Sequence, residues 1–252
     1  MHDRWKGRAV AAALLLSTAG LEAQETASSS DADRVWRRYV TALGGQAWHD
    51  VRTREIQGSL EYRGTQQHGT GAFSMRWKAP RSFVEELRHP LGSVVRGLNG
   101  SRAWGEHPQA GVRQISQMEV DEILLEAALY QPLGVRHWYT TLAYEGRTTV
   151  DGREAEILSA RRHGKTLDRF YFDVVTGLPI RLDVWEEGPE GVRIPSPEHA
   201  YLAHFDLGDY RKVGGVAVPF LIRRRRPNST STLRFTTVRH NVSLPDSLFR
   251  AR

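Results

Sequence analysis

From residue 53 onward, apolar and polar side chains alternate with a period of two. Ile56, Gly58, Leu60 and Tyr62 alternate with Gln57, Ser59 and Glu61; Phe73, Met75 and Trp77 with Ser74, Arg76 and Lys78; Phe83, Glu85 and Leu87 with Val84, Glu86 and Arg88. Successive side chains of a strand point to opposite faces, so the pattern predicts strands with one apolar and one wet face. Turn signals separate them at Lys78-Ala79-Pro80, His89-Pro90 and Asn99-Gly100, the last before a strand around Trp104. Asp151-Gly152 predicts a tight hairpin between strands 144–150 and 154–160. Further strands are predicted around Phe170 and Phe172, over Ile180–Val184 after a Thr176-Gly177 turn, over Phe205–Arg211 and Val216–Arg226 around Gly214-Gly215, and over Leu233–Thr237.

Two segments carry helical spacing instead. Ser30 can cap a helix with Asp33 at the capping-box position; Ala32, Val35, Trp36, Tyr39, Val40 and Leu43 share a face, and Gly44-Gly45 stops it. Ser116 and Glu119 head a second helix along Val120, Ile123, Leu124, Ala127 and Ala128, ended by Pro132. Leu125 and Leu129 widen its stripe beyond what a flat sheet needs. Residues 133–142 have no clear period, and 186–200 read as a long loop. About ten half-wet strands and two helices do not make flat layers. The economical answer is a mainly β fold: an open antiparallel half-barrel with the helices covering its concave face. No linker interrupts the middle, so residues 31–252 read as one domain.

The composition changes the setting rather than the fold. The 252 residues are 40% hydrophobic and 25% charged, with no cysteine. That excludes disulfide frameworks, thiol catalysis, cysteine-held metals and a lipidated N-terminal cysteine. Arg4, Lys6 and Arg8 precede the apolar run from Ala9 to Leu16, and Ala23 ends a small-residue cleavage pattern. Residues 1–23 therefore read as a signal peptide and 24–30 as a polar leader. The apolar run is short of the ~20 residues that cross a bilayer. Cleavage removes three basic and two acidic residues, taking the net charge from +6 to +5. In an exported protein this excess fits anionic membrane surfaces or acidic ligands, not chromosomal DNA.

Several stretches together resemble the periplasmic LolA/LolB-like lipoprotein-carrier superfamily and its outer-membrane lipoprotein-sorting relatives. They are YVTALGG (Tyr39–Gly45), GAFSMRWKAPRSF (Gly71–Phe83), GLNGSRAWG (Gly97–Gly105), VDGREAEI (Val150–Ile157), LDRFYFDVVTGLPIRLD (Leu167–Asp183), DYRKVGGVAVPFLIR (Asp209–Arg223) and NVSLPDSLF (Asn241–Phe249). Each alone is hairpin grammar; their order and spacing are specific. The resemblance implies an open barrel with helices as a lid over an apolar cavity that holds acyl chains or a hydrophobic segment. It also admits sensor modules and small-molecule enzymes, so fold does not settle function.

Motifs for covalent or metal chemistry are weak. The histidines at 49, 68, 89, 107, 137, 163, 199, 204 and 240 show no ligand spacing and read as surface or turn residues. There is no GxSxG nucleophile elbow, and GTGA (Gly69–Ala72) and GLNG (Gly97–Gly100) lack the helix of a phosphate cradle. No metal and no cofactor is expected.

The remaining candidates belong to a binding cavity. Trp77, Phe83, Trp104, Phe170, Phe172 and Trp185 are its candidate walls, and Val120, Ile123, Leu124 and Ala127 its candidate lid. Arg223, Arg224, Arg225 and Arg226 form a basic strand end. Alternation puts Arg223 and Arg225 on the face of Leu221, and Arg224 and Arg226 on the face of Phe220 and Ile222. Either the end runs into solvent, or one pair rims the cavity and holds an anionic head group. The expected function is an exported carrier or binding protein for a hydrophobic or acylated ligand. Its expected partners are an envelope donor or acceptor protein and, transiently, a membrane surface. An enzyme on the same fold and an envelope sensor are the alternatives.

Overall fold

The computed structural model describes residues 30–65, 68–89, 92–108, 111–115, 120, 123, 139–162, 166–186 and 201–251. Helix α1 spans 30–43 and a single turn, α2, spans Gln46–His49. Thirteen strands follow: β1 (Thr53–Gly64), β2 (His68–Lys78), β3 (Ser82–His89), β4 (Gly92–Asn99), β5 (Arg102–His107), β6 (Gly111–Gln114), β7 (Tyr139–Val150), β8 (Arg153–Arg162), β9 (Thr166–Asp173), β10 (Pro179–Glu186), β11 (Tyr201–Val213), β12 (Val216–Arg226) and β13 (Ser229–His240). They form one sheet in the order β6-β5-β4-β3-β2-β1-β13-β12-β11-β10-β9-β8-β7. Two antiparallel meanders are thus joined where β1 pairs with β13. β6 and β7, neighbours in sequence, lie at opposite edges, so the barrel is open.

Turn chemistry places the hairpins. Asp151 and Gly152 both take positive φ (49° and 80°), matching the twist of β7 and β8, and Gly214 and Gly215 do the same between β11 and β12. Gly44 (φ 128°) and Gly45 (φ 55°) end α1, with the Gly45 amide donating back to the Val40 carbonyl at 2.9 Å.

The apolar stripe of α1 lies on the concave face of the sheet. Ala32, Val35, Trp36, Tyr39 and Leu43 are buried in one cluster with inward residues of β8–β12, among them Leu158, Phe172, Leu182, Phe205 and Val218. Each large side chain so buried contributes ~1.5–3 kcal/mol. Ion pairs fix the helix above that stripe: Arg34 Nη2 donates to Glu156 Oε1 of β8 at 2.8 Å, and Arg38 Nη1 to Glu156 Oε2 at 3.4 Å. On the neighbouring strands Gly58 is required by packing. A Cβ there would stand 2.7 Å from the Phe73 ring and 2.2 Å from the Arg234 carbonyl oxygen.

The sheet has β4 and β6 beyond the strands expected from alternation. In β4, Val95 faces outward and Leu98 inward, and both are buried. The C-terminal segment covers the outer face here: Leu244 and Phe249 pack with Val84, Val95 and Trp104. A strand buried on both faces loses its alternation, and the four residues of β6 are too short to show any. β7 begins at Tyr139, within the stretch that lacked a period. The loop expected over 186–200 lies almost wholly outside the described residues, as do the expected signal peptide and most of the expected second helix.

Candidate functional site

The inward face divides by what meets it. Across β8–β12, α1 leaves little room: Trp36, Tyr39, Trp48, Arg54, Phe170 and Leu182 border a cavity of about 20 Å³. That is space for roughly one water molecule. Burial there holds the Tyr39 phenol far above its ordinary range, and does the same for Tyr210, whose hydroxyl donates to the Pro179 carbonyl at 2.8 Å. In the wall of that cavity, the Arg54 guanidinium stacks 4.3 Å from the Trp48 ring centroid, and its Nε donates to His240 Nε2 at 3.1 Å. Burial, and then the Arg54 charge, push His240 down to about 4.

Across β1–β4 and β13 the inward face is also largely apolar. Ile56, Phe73, Met75, Phe83, Leu98 and Phe235 are buried there, in the same cluster as the α1 stripe and the inward residues of β8–β12, which also includes Ile115, Val120 and Ile123. Phe73 meets Phe235 edge-on with centroids 5.6 Å apart. Among the described residues, the pair of Glu85 and Arg96 interrupts this surface. Glu85, 4% exposed, accepts from Arg96 Nε at 2.8 Å.

The expected cavity walls separate into two groups. Phe83, Phe170 and Phe172 are buried inward, and Trp77 faces inward, packed against the same cluster. Phe170 and Phe172 stack with centroids 6.3 Å apart, and Tyr39 of α1 lies 5.0 Å from Phe172. Trp104 is on the outer face, where its Nε1 donates to the Phe249 carbonyl at 3.4 Å. Trp185 is also on the outer face and is 40% exposed. Of the lid candidates, Val120 and Ile123 are helical and buried in the inward cluster; Leu124 and Ala127 lie outside the described residues.

The four arginines alternate as their parity requires. Arg223 and Arg225 face outward; Arg225 Nε donates to Asp206 Oδ2 at 2.9 Å, and Asp206 also takes Arg181 at 2.7 Å. Arg224 and Arg226 face inward, over the rings of Phe205 (5.2 Å) and Tyr201 (5.8 Å). Inward polar residues absent from the sequence-based candidates are Arg54, Glu85, Arg96, Glu156 and Asp168, the last accepting from the Tyr139 hydroxyl at 3.0 Å. Their signal was parity: Glu85 alternates in step with Phe83 and Leu87, Arg54 with Ile56, and Glu156 with Leu158. Among the described residues, no three His, Asp or Glu side chains gather as a metal ion would need. His204 lies on the outer face, its Nδ1 2.6 Å from Asp183 Oδ1. No helix among the described residues is long and apolar enough to cross a membrane.

An open antiparallel half-barrel with helical residues on its concave face is a LolA-like fold. Solved structures share it over most of the chain. A DUF1329-family protein from Desulfovibrio piger superposes with a TM-score of 0.63 at 14% identity, covering 86% of this chain and 96% of that one. An outer-membrane lipoprotein-sorting protein domain from Vibrio parahaemolyticus gives 0.61 at 11% identity, over 86% and 94%. A LolA-superfamily protein from Nitrosomonas europaea gives 0.58 at 10% identity, over 84% and 97%. No protein-family model and no curated protein matches the chain in sequence.

Proposed function

We propose that this chain is an exported carrier or binding protein for a hydrophobic or acylated ligand, taken up on the inward face of β1–β4 and β13. The carrying observation is the apolar surface of Phe73, Met75, Phe83, Leu98 and Phe235, part of the single inward cluster that also holds the α1 stripe, Val120 and Ile123. A ligand chain that replaces the contacts of those two side chains gains ~0.8 kcal/mol per buried CH₂. The cost of uncovering the surface is repaid by equivalent carbon, which suits reversible uptake and handover to an envelope partner. The lipoprotein-sorting-like fold and the signal-peptide pattern over residues 1–23 agree with this reading. An enzyme needs a shifted titratable group beside substrate-sized space. Tyr39 is strongly shifted, but the space beside it holds about one water.

The test is native mass spectrometry of protein recovered from an exporting host, with extraction of whatever copurifies. The expected result is a stoichiometric acyl-chain adduct. A clean unliganded mass, with no uptake of added fatty acid or lysolipid, would overturn the reading.

A further inference from the structure

The inward face is graded along the strands, and the grading runs in register across them. Along β12 the inward positions are Val216, Val218, Phe220 and Ile222, then Arg224 and Arg226. Val216 and Ile222 are about 20 Å apart at ~3.3 Å per residue. The pairing aligns Ile222 of β12 with Leu233 of β13, and Leu233 with Leu60 of β1, as one apolar row. One step further along, Phe205 aligns with Arg224, Arg224 with Ser231, and Ser231 with Tyr62. The next step aligns Arg226 with Ser229 and Ser229 with Gly64. Carbon therefore gives way to guanidinium and hydroxyl at one level on three adjacent strands.

Resting on the carrier reading above, we propose that the ligand is an anionic amphiphile. Its carboxylate or phosphate is held at the row of Arg224, Ser231 and Tyr62, with Arg226 and Ser229 beside it, and its alkyl chain runs along the apolar rows below. Two features of the row suit an oxyanion. First, Arg224 and Arg226 lie over the rings of Phe205 and Tyr201, which limits the freedom each guanidinium loses on binding. Second, Ser229, Ser231 and Tyr62 are half-buried, and their hydroxyls make no hydrogen bond among the described residues, so they are donors available to a ligand. The outward pair serves as an internal control, because Arg225 is held by Asp206 on the opposite face.

The experiment compares three probes of one chain length: palmitic acid, palmitoyl-lysophosphatidylglycerol and uncharged monopalmitoylglycerol. Each is titrated into the full chain and into Arg224→Gln/Arg226→Gln, Arg224→Lys/Arg226→Lys and Arg223→Gln/Arg225→Gln, all checked for native circular dichroism. The wild type should bind at least one anionic probe about tenfold more tightly than the uncharged one, a preference lost in the inward glutamine pair. The outward pair should retain it. The lysine pair keeps the charge, so partial retention there marks charge recognition even if the glutamine pair folds poorly. A preference for palmitic acid over the lysolipid assigns the row to a carboxylate, and the reverse to a phosphate. Equal binding of all three probes, or equal loss in the inward and outward pairs, overturns the anionic head group and leaves the carrier reading standing. Failure to bind any probe overturns both.

Discussion

Arg34 on α1 reaches across 122 residues of sequence to Glu156 on β8, and the pair is asymmetric: the Arg34 side chain is 44% exposed and that of Glu156 1%. The buried partner sets the energetics. Removing Arg34 and Arg38 together leaves a carboxylate sealed against the sheet with, among the described residues, Arg147 alone near it, at 3.7 Å. Arg34→Ala/Arg38→Ala should therefore destabilise the fold by about 3–5 kcal/mol, the usual cost of stranding a buried charge. Glu156→Gln keeps the shape and returns both arginines to water, costing about 1–2 kcal/mol. Urea unfolding of the variants checks the order, and equal losses would show that the pair is mere surface contact.

His240 sets where acid destabilisation begins. Its folded value of about 4 lies below the ordinary 6.5, so the unfolded chain takes up a proton that the folded chain refuses. Stability is then full above pH 6.5 and falls as the pH drops from 6.5 towards 4. A second loss follows at lower pH. Burial raises Asp206, but hydrogen bonds from Arg225 and Arg181 outweigh it and hold the carboxyl below its ordinary range. That contribution is present above the unfolded carboxylate value and disappears below it. Denaturant midpoints across this range should fall in two stages, and His240→Gln should flatten the first stage only.

The outer face of β3–β5 depends on its C-terminal cover. Phe249 is 1% exposed against Val84, Val95 and Trp104, so Phe249→Ala should cost about 3–5 kcal/mol. Gly97 lies under the Trp104 indole, where a Cβ would approach within 2.3 Å. Gly97→Ala must displace that ring and should destabilise by about 1–3 kcal/mol. Both are read by urea unfolding; an unchanged midpoint in Phe249→Ala would show the segment to be ornamental.

Much of this arrangement is legible from period and parity, and the parts that are not share a cause. Asp151-Gly152 encodes its hairpin locally, and the split of Arg223 and Arg225 from Arg224 and Arg226 needs only alternation. Alternation says which residues share a face, but not which face is concave. Trp104 and Trp185 read as cavity walls beside Phe83 and Phe170, yet stand outside because their strands present those positions to the convex side. What chooses the side is long-range: α1 lies over β8–β12, and Phe249 returns to cover Trp104. Glu85 was readable by parity as an inward charge, but its partner Arg96 lies on β4, the strand whose two buried faces erased the pattern.

Ile123 separates a ligand-exchanging contact from a plain core residue. It is fully buried in the same cluster as Phe73 and Phe83. Truncating it to alanine removes apolar contacts, so Ile123→Ala should destabilise the unliganded protein by about 2–4 kcal/mol. If a ligand takes the place of Ile123 on this surface, the same truncation lowers the cost of uncovering it. Affinity for an uncharged acyl probe should then rise as stability falls, because the binding-competent arrangement is more populated before the ligand arrives. Leu158→Ala is the control: it too is fully buried in the cluster, but on β8, where α1 packs, and should lose stability with no gain in affinity. Melting temperature and probe titration on the two variants decide it. Parallel loss of stability and affinity in Ile123→Ala would place that side chain in the permanent core and move the ligand surface elsewhere.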